Sequence, residues 1–497
     1  MFFMYISNNQ SKLETQMNVE FFRFIDKDTY LKMLILEYLK LRPYYVSANE
    51  IAGNFNITYK KSNIMLLDLK NEMDTYFKDN ESSIDFIRGK GYFLKAHDST
   101  DLRGFITELI YKSPMVVLLH DIIFKRITSV QKYCQEKFIS ESKLKKDLSK
   151  LKKSVEKLDV SIDRNKMTLI GPENKVRFLI FTFYWKVNKD AWPFEYINEN
   201  EIVSSVNEWS YVQQLNQIEK RKLVYHIAIW KLRIAQKNFI ENSDVCEGKI
   251  FQKFKQEMEK TDLIRTSNIH EFHGLFDVFK VFNFLPNMEE CFCEELSNYV
   301  PEAVQTSVVL DLFEKEFFQI SDMRVYKQTK MFLFSTHTMV KISPNLEIDE
   351  LGNSYIRYIN TLVPKLSERM KFFINDLQNN LQSNIFDKER LLNIRYCMIF
   401  YLANKLTIYE KKLYVLFETE LNSYIRNYQR DILEYILQKT YNVSVLFEEE
   451  LPPEITPDLI VSNLRMYDTN DNLRVTVSRN LTLYEIINIL IAIRNLH

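Results

Sequence analysis

The stretch Ser140–Leu158, SESKLKKDLSKLKKSVEKL, decides how the rest of the chain is read. Ser140 suits a helix N-cap, and Leu144, Leu148, Leu151, Val155 and Leu158 recur at three- and four-residue steps. That spacing lines one buried face of a helix. The other face carries Lys143, Lys145, Lys146, Lys150, Lys152, Lys153 and Lys157, against Glu141, Asp147 and Glu156. An apolar hairpin follows, VSID and MTLIG about a turn at Arg164-Asn165-Lys166. A basic helix followed by a two-stranded ribbon is the order of a winged helix-turn-helix, and its exposed lysines suit a polyanion. Taken alone, a lysine-rich helix face reads as solvated surface. What argues for more is that the chain repeats the pattern.

The earlier copy lies upstream. An apolar-periodic helix over Thr29–Leu41 is ended by Arg42-Pro43, because proline cannot donate into a helix interior. Ser47 caps a short helix, ANEIAGNF, and a turn at Asn56-Ile57-Thr58 leads to a third, TYKKSNIMLLDLKNEM. SIDFI and YFLKA, joined by Arg88-Gly89-Lys90-Gly91, then read as a wing. Ser62, Leu66 and Leu69 follow Thr58 at the steps by which Leu144, Leu148 and Leu151 follow Ser140, a weak internal repeat. Residues early on each third helix would enter a major groove: Tyr59, Lys60, Lys61 and Asn63 in the first copy, Ser142, Lys143, Lys145 and Lys146 in the second. Lys125, Arg126, Lys132, Lys150 and Lys153 read as phosphate anchors.

Composition narrows the alternatives. The net charge is zero, so any attraction for a polyanion has to be local. Residues 125–157 supply it, with 11 basic and 4 acidic side chains. Eight glycines in 497 residues leave no GxGxxG, GxxxxGK[ST] or GxSxG motif, which disfavours nucleotide-using enzymes of common design. A mostly helical protein with no cofactor is expected. Five scattered cysteines give no disulfide framework, which fits a reducing cytoplasm. MFFMYI at the start is too short for a signal peptide, and Phe178–Trp185, the longest apolar run, is too short for a membrane span. A soluble, cytoplasmic protein is the expectation.

The segment from Phe105 to Trp185, with SPMVVLLHDIIF, VQKYCQEKFISESKLKKDLSKL and above all IGPENKVRFLIFTFYW, resembles the second helix-turn-helix of the Mga/AtxA family. Members of that family are transcriptional regulators of Gram-positive bacteria, often of virulence or metabolic genes. The resemblance implies a mainly α, multidomain chain. Two winged helix-turn-helix domains (20–97 and 98–171) would precede two phosphotransferase regulation domains (172–285 and 286–403). A small α/β domain similar to enzyme IIB (404–497) would close the chain.

Within the first regulation domain, KLVYHIAIWKLRIAQKN places His226 and Arg233 two turns apart on one helix. The resemblance makes His226 an acceptor of a phosphoryl group from the phosphocarrier protein of the sugar phosphotransferase system; a packed, hydrogen-bonded histidine is the plainer reading. In KMFLFSTHTMVK the matching place holds Phe334, and His337 sits one turn on, a weaker candidate. His270 and His273 with Cys291 and Cys293 have the residue types of a zinc site. CxC is not the usual knuckle, however, and no metal is expected.

From Lys411 strands alternate with helices: KLYVLFE, a helix over about 421–439, YNVSVLF, DLIVSN, LRVTVS and a closing helix LTLYEIINILIAIRNLH. A working enzyme IIB holds its acceptor cysteine or histidine after the first strand. Glu418-Thr419-Glu420 stands there instead, so the domain reads as a dimerising or sensing scaffold rather than an enzyme, with Leu481–Leu496 as its apolar stripe. The function expected is that of a homodimeric, DNA-binding regulator that activates its genes. An RNA-binding antiterminator and a phosphotransferase component are the alternatives.

Overall fold

The computed structural model describes residues 24–77, 82–96, 102–187, 192–243, 247–261, 263–264, 266–342, 359–360, 362–464 and 473–496. The MFFMYI stretch and Cys246 lie outside the described residues. The chain is mainly helical and divides into two compact units, Met1–Phe318 with Lys330–Ser354, and Gln319–Thr329 with Tyr355–His497.

In the first unit, helices α1 (Lys27–Lys40), α2 (Ala48–Asn54) and α3 (Tyr59–Tyr76) precede an antiparallel ribbon of β1 (Ser83–Ile87) and β2 (Gly91–Lys95). Then α4 (Leu102–Tyr111), α5 (Pro114–Ile123), α6 (Val130–Glu136) and α7 (Glu141–Glu156) precede a second ribbon, β3 (Ser161–Asp163) and β4 (Thr168–Ile170). The helical body follows: α8 (Glu173–Val187), α9 (Glu199–Asn207), α10 (Gln217–Ala235), α11 (Lys249–Lys260), α12 (Ile269–Val281), α13 (Met288–Ser297), α14 (Pro301–Glu316) and α15 (Met323–Ile342). The division between units falls inside α15, within the range 286–403 that sequence assigns to one helical domain.

The two helix–turn–helix modules share their local construction, each position in the second lying 82 residues after its counterpart in the first. Thr58 and Ser140 cap the third helices, each accepting a hydrogen bond from the amide three residues on (Lys61 and Lys143, both 3.2 Å). Ser47 and Ser129 cap the second helices in the same way. The turn between is also matched. Asn56 and Phe138 adopt left-handed backbone, φ 51° and 53°. Beyond them the Ile57 and Ile139 amides donate to Ala52 and Cys134 carbonyls, both at 3.0 Å. The repeat visible in the leucines therefore extends through caps and turns.

The modules differ in what their cores join. Leu34, Ile35, Ile51, Leu66, Leu69, Met73, Ile84 and Tyr92 of module one form a core of their own, closed by Leu102, Phe105 and Leu109 of α4. Leu144, Leu148, Leu151 and Val155 of module two instead join a core that runs on through Phe181, Tyr225, Phe254 and Phe279 of the helical body.

The second unit contains α16 (Pro364–Leu381), α17 (Glu389–Ala403) and an α/β layer: β5 (Leu413–Glu418), α18 (Ser423–Leu437), β6 (Val443–Leu446), β7 (Leu459–Ser462), β8 (Arg474–Thr476) and α19 (Leu483–Asn495). Its four-stranded sheet is wholly parallel, in the order β6-β5-β7-β8. Ile486, Ile489 and Ile493 of α19 are buried in the core beside Val461. Part of the closing stripe is thus spent inside its own domain, while Leu483, Tyr484 and Leu496 stay exposed.

Candidate nucleic-acid interface

Helix α7 presents the faces that its periodicity predicts. Leu144, Leu148, Leu151 and Val155 are buried, while Lys143, Lys145, Lys146, Lys150 and Lys153 are exposed. Lys145 stands 3.7 Å from Glu141 and Lys150 3.9 Å from Asp147, loose pairs between exposed or half-exposed groups that water screens. Lys143, Lys146 and Lys153 have no carboxylate partner among the described residues. Ser142 is exposed, its hydroxyl 3.0 Å from that of Ser140. The β3–β4 turn beside the helix exposes Arg164 and Lys166. The Lys166 and Asn165 amides bond the Asp163 side chain, which fixes the turn and holds that carboxyl below its usual range. A convex, lysine-bearing helix with a basic ribbon beside it can meet two phosphate rails flanking a groove.

Two anchors read from the sequence point elsewhere. Lys125 donates to the Gln236 carbonyl at the end of α10 (2.9 Å), and burial together with Arg233 lowers its pKa. Arg126 pairs with Asp121 and Glu195. Both are held by the protein's own acceptors, because the segment after α5 packs on the helical body. Lys132 remains exposed, 3.8 Å from Glu136.

In module one Tyr59 and Lys60 are exposed at the start of α3, and Lys61 is bound to Asp28 at 2.7 Å. Asn63 is exposed and its Oδ1 accepts from the Tyr92 hydroxyl at 3.0 Å, a contact from the ribbon that orients the carboxamide. Gly91 makes that ribbon turn workable. Its φ is +113°, and a Cβ there would run into the Val46 carbonyl. Ile64 and Leu67, not singled out from the sequence, are also exposed on α3.

Comparison with known proteins fits this geometry. Residues 98–184 match the Mga helix-turn-helix domain. That span takes in α4 to α7, the second ribbon and most of α8. Over 190 residues the chain is 24% identical to the anthrax toxin expression trans-acting positive regulator of Bacillus anthracis. Over these stretches the chain is similar to regulators of the Mga/AtxA type. The alignment covers 38% of this chain and 39% of that relative.

The feature that sequence reasoning missed is a buried ionic network at the exit from the second ribbon. Glu173 and Arg177, from the GPENKVRF stretch, open α8. Glu173 accepts from Arg233 Nε and Nη2, both at 2.8 Å, and from Arg177 Nε at 2.9 Å. Burial pushes the Glu173 carboxyl up, and Arg233 and Arg177 more than reverse this, leaving it below its usual range. Arg177, fully buried, also pairs with Glu271 of α12 and lies 4.5 Å over the Trp230 ring. Arg233 therefore serves the helix that leaves the ribbon rather than His226. Only the i, i+4 spacing of Glu173 and Arg177 was visible in the sequence.

His226 is fully buried and stacks on Phe181 with ring centroids 3.9 Å apart, with Phe282 at 5.0 Å. Neither ring nitrogen has a hydrogen-bond partner, and burial, with Lys222 nearby, lowers its pKa to about 3. His337 is buried as well, its Nδ1 2.8 Å from the Thr306 hydroxyl, and burial takes its pKa to about 3. His270 bonds Ser243 at 2.9 Å, whereas His273 stacks on Phe251 at 4.0 Å. Cys291 is buried and Cys293 exposed. No group of three or more His, Cys, Asp or Glu suited to a metal ion occurs among the described residues. No helix among them is long and apolar enough to cross a membrane. At the end of β5, Glu418 pairs with Arg474 at 2.7 Å and Glu420 lies 3.5 Å from Arg479.

Proposed function

We propose that this chain is a transcriptional regulator that binds duplex DNA through two winged helix-turn-helix modules. The observation that carries the reading is the exposed, carboxylate-free set Lys143, Lys146 and Lys153 on one helix inside a matched Mga helix-turn-helix domain. Affinity comes mainly from phosphate contacts and falls steeply with salt. The relative's name, a positive regulator of toxin expression, supports activation, of virulence or metabolic genes, as the sign of control. Substituting Lys143, Lys145 and Lys146 together by Ala is expected to abolish the gel shift on duplex DNA at physiological salt, leaving only weak low-salt binding, while circular dichroism stays unchanged. Retention of the wild type on stem-loop RNA and not on duplex DNA would instead select the antiterminator reading.

The helical body and the α/β layer correspond, in this proposal, to regulation domains and an enzyme IIB-like scaffold without its acceptor. A homodimer through the C-terminal domain is supported by α18, whose Tyr424, Tyr428 and Tyr435 are 88%, 67% and 64% exposed along one helix side. Control by the phosphocarrier protein assigns the phosphoryl group to His226. Transfer requires the Phe181 and Phe282 rings to part first, so phosphorylation would act by opening the body.

A further inference from the structure

The same scaffold positions carry opposite chemistry in the two modules. Asn63, Ile64 and Leu67 on α3 stand where Lys145, Lys146 and Ser149 stand on α7. Lys60, Asn63, Ile64 and Leu67 follow one another at i, i+3, i+4 and i+7, so they share a helix face. The face behind them buries Ser62, Met65, Leu66, Leu69 and Met73. Ile64 is 47% and Leu67 52% exposed, with the Tyr59 ring (55%) at the same end. Water solvates two branched aliphatic side chains there unless something covers them.

What covers them is indicated by the charges around the face. The three carboxylates of α3 are each engaged: Asp68 and Glu72 by Lys32 at 3.4 and 3.0 Å, Asp74 by Lys70 at 2.5 Å. Lys60, with Arg88 and Lys90 at the ribbon turn, is exposed and has no carboxylate partner among the described residues. Aliphatic groups framed by free cations suit a polyanion with an apolar group inside its groove, whereas the core of a protein–protein interface is depleted of charge. The major groove of DNA offers one such group, the thymine 5-methyl.

Resting on the DNA-binding reading above, we propose that Ile64 and Leu67 read thymine 5-methyl groups. Module one then sets sequence preference and module two supplies phosphate affinity. The test uses the full chain and a duplex selected from a random-sequence pool, synthesised once with thymine and once with deoxyuridine, which deletes only the methyl. Wild type is expected to bind the uracil duplex roughly four-fold more weakly for each contacted methyl, about fifteen-fold for two. Ile64→Ala/Leu67→Ala is expected to bind both duplexes equally, with an unchanged salt slope. Equal binding of the two duplexes by wild type, with salt-dependent affinity intact, overturns the proposal and spares the DNA-binding reading. A variant that keeps the thymine preference overturns it as well. Absence of salt-dependent wild-type retention on any duplex removes both.

Discussion

Modules one and two share caps, turn hydrogen bonds and left-handed turn residues, yet differ in charge and in attachment. Helix α3 balances Lys60, Lys61 and Lys70 against Asp68, Glu72 and Asp74, whereas α7 sets six lysines against Glu141, Asp147 and Glu156. Module one has a separate core, while module two is continuous with the helical body. The difference teaches that a fold repeat need not be a functional repeat. Backbone hydrogen bonds and a buried stripe fix the scaffold, and the outward face is free to diverge. Module two is also the one whose position a change in the helical body would alter.

The largest contrast should appear in salt titrations of DNA affinity. Each phosphate contact contributes about 0.9 to the slope of log affinity against log salt. Removing Lys143, Lys145 and Lys146 should flatten the slope by the worth of several contacts, and Lys60→Ala by at most one. Equal slopes for the two variants would erase the division of labour.

Breaking the ionic network tests the difference in attachment. Arg177→Met leaves Glu271 buried without its cation and should cost roughly 3–5 kcal/mol in denaturant unfolding. The loss should open module two and the body to proteolysis while module one stays protected. Simultaneous opening of all three would contradict the separate core.

Acid should weaken the body rather than module one. With a folded pKa of about 3, His226 stays neutral in the fold while the unfolded chain takes up a proton below about pH 6.5. Proton binding thus favours unfolding as pH falls, by about 2 kcal/mol per such histidine at pH 5, until the folded pKa is reached. His226→Phe should remove one proton's worth of that slope in pH-dependent unfolding, and it leaves no orphaned nitrogens in the stack. Module one, with no histidine among its described residues, should show none of this dependence. An unchanged slope in the variant would mean that other groups set it.

The smallest effect is in the caps. Ser140→Ala and Thr58→Ala should each cost about 1 kcal/mol, measured by thermal melting, with the Thr58 loss confined to module one.

Much of this was legible in the sequence because the determinants are local. Ser140, the leucine steps and the SIDFI–YFLKA pair each act through their own neighbours, and those elements lie within a few residues of expectation. The fate of Lys125 and Arg126 was not legible, since their partners Gln236 and Glu195 are distant in the chain. Arg233 lies seven residues from His226, and proximity in sequence hid its real partner, Glu173, sixty residues earlier. Ile64 and Leu67 drew no reading from the sequence, because their exposure depends on which side of α3 the rest of the module packs.

Lysine labelling with mass spectrometry tests the interface most directly. The full chain is acetylated with and without saturating duplex DNA, and the change is read at each ammonium. The account predicts protection of Lys143, Lys146 and Lys153, with Lys125, already bonded to Gln236, unchanged. Equal reactivity of the α7 lysines in free and bound protein would contradict it.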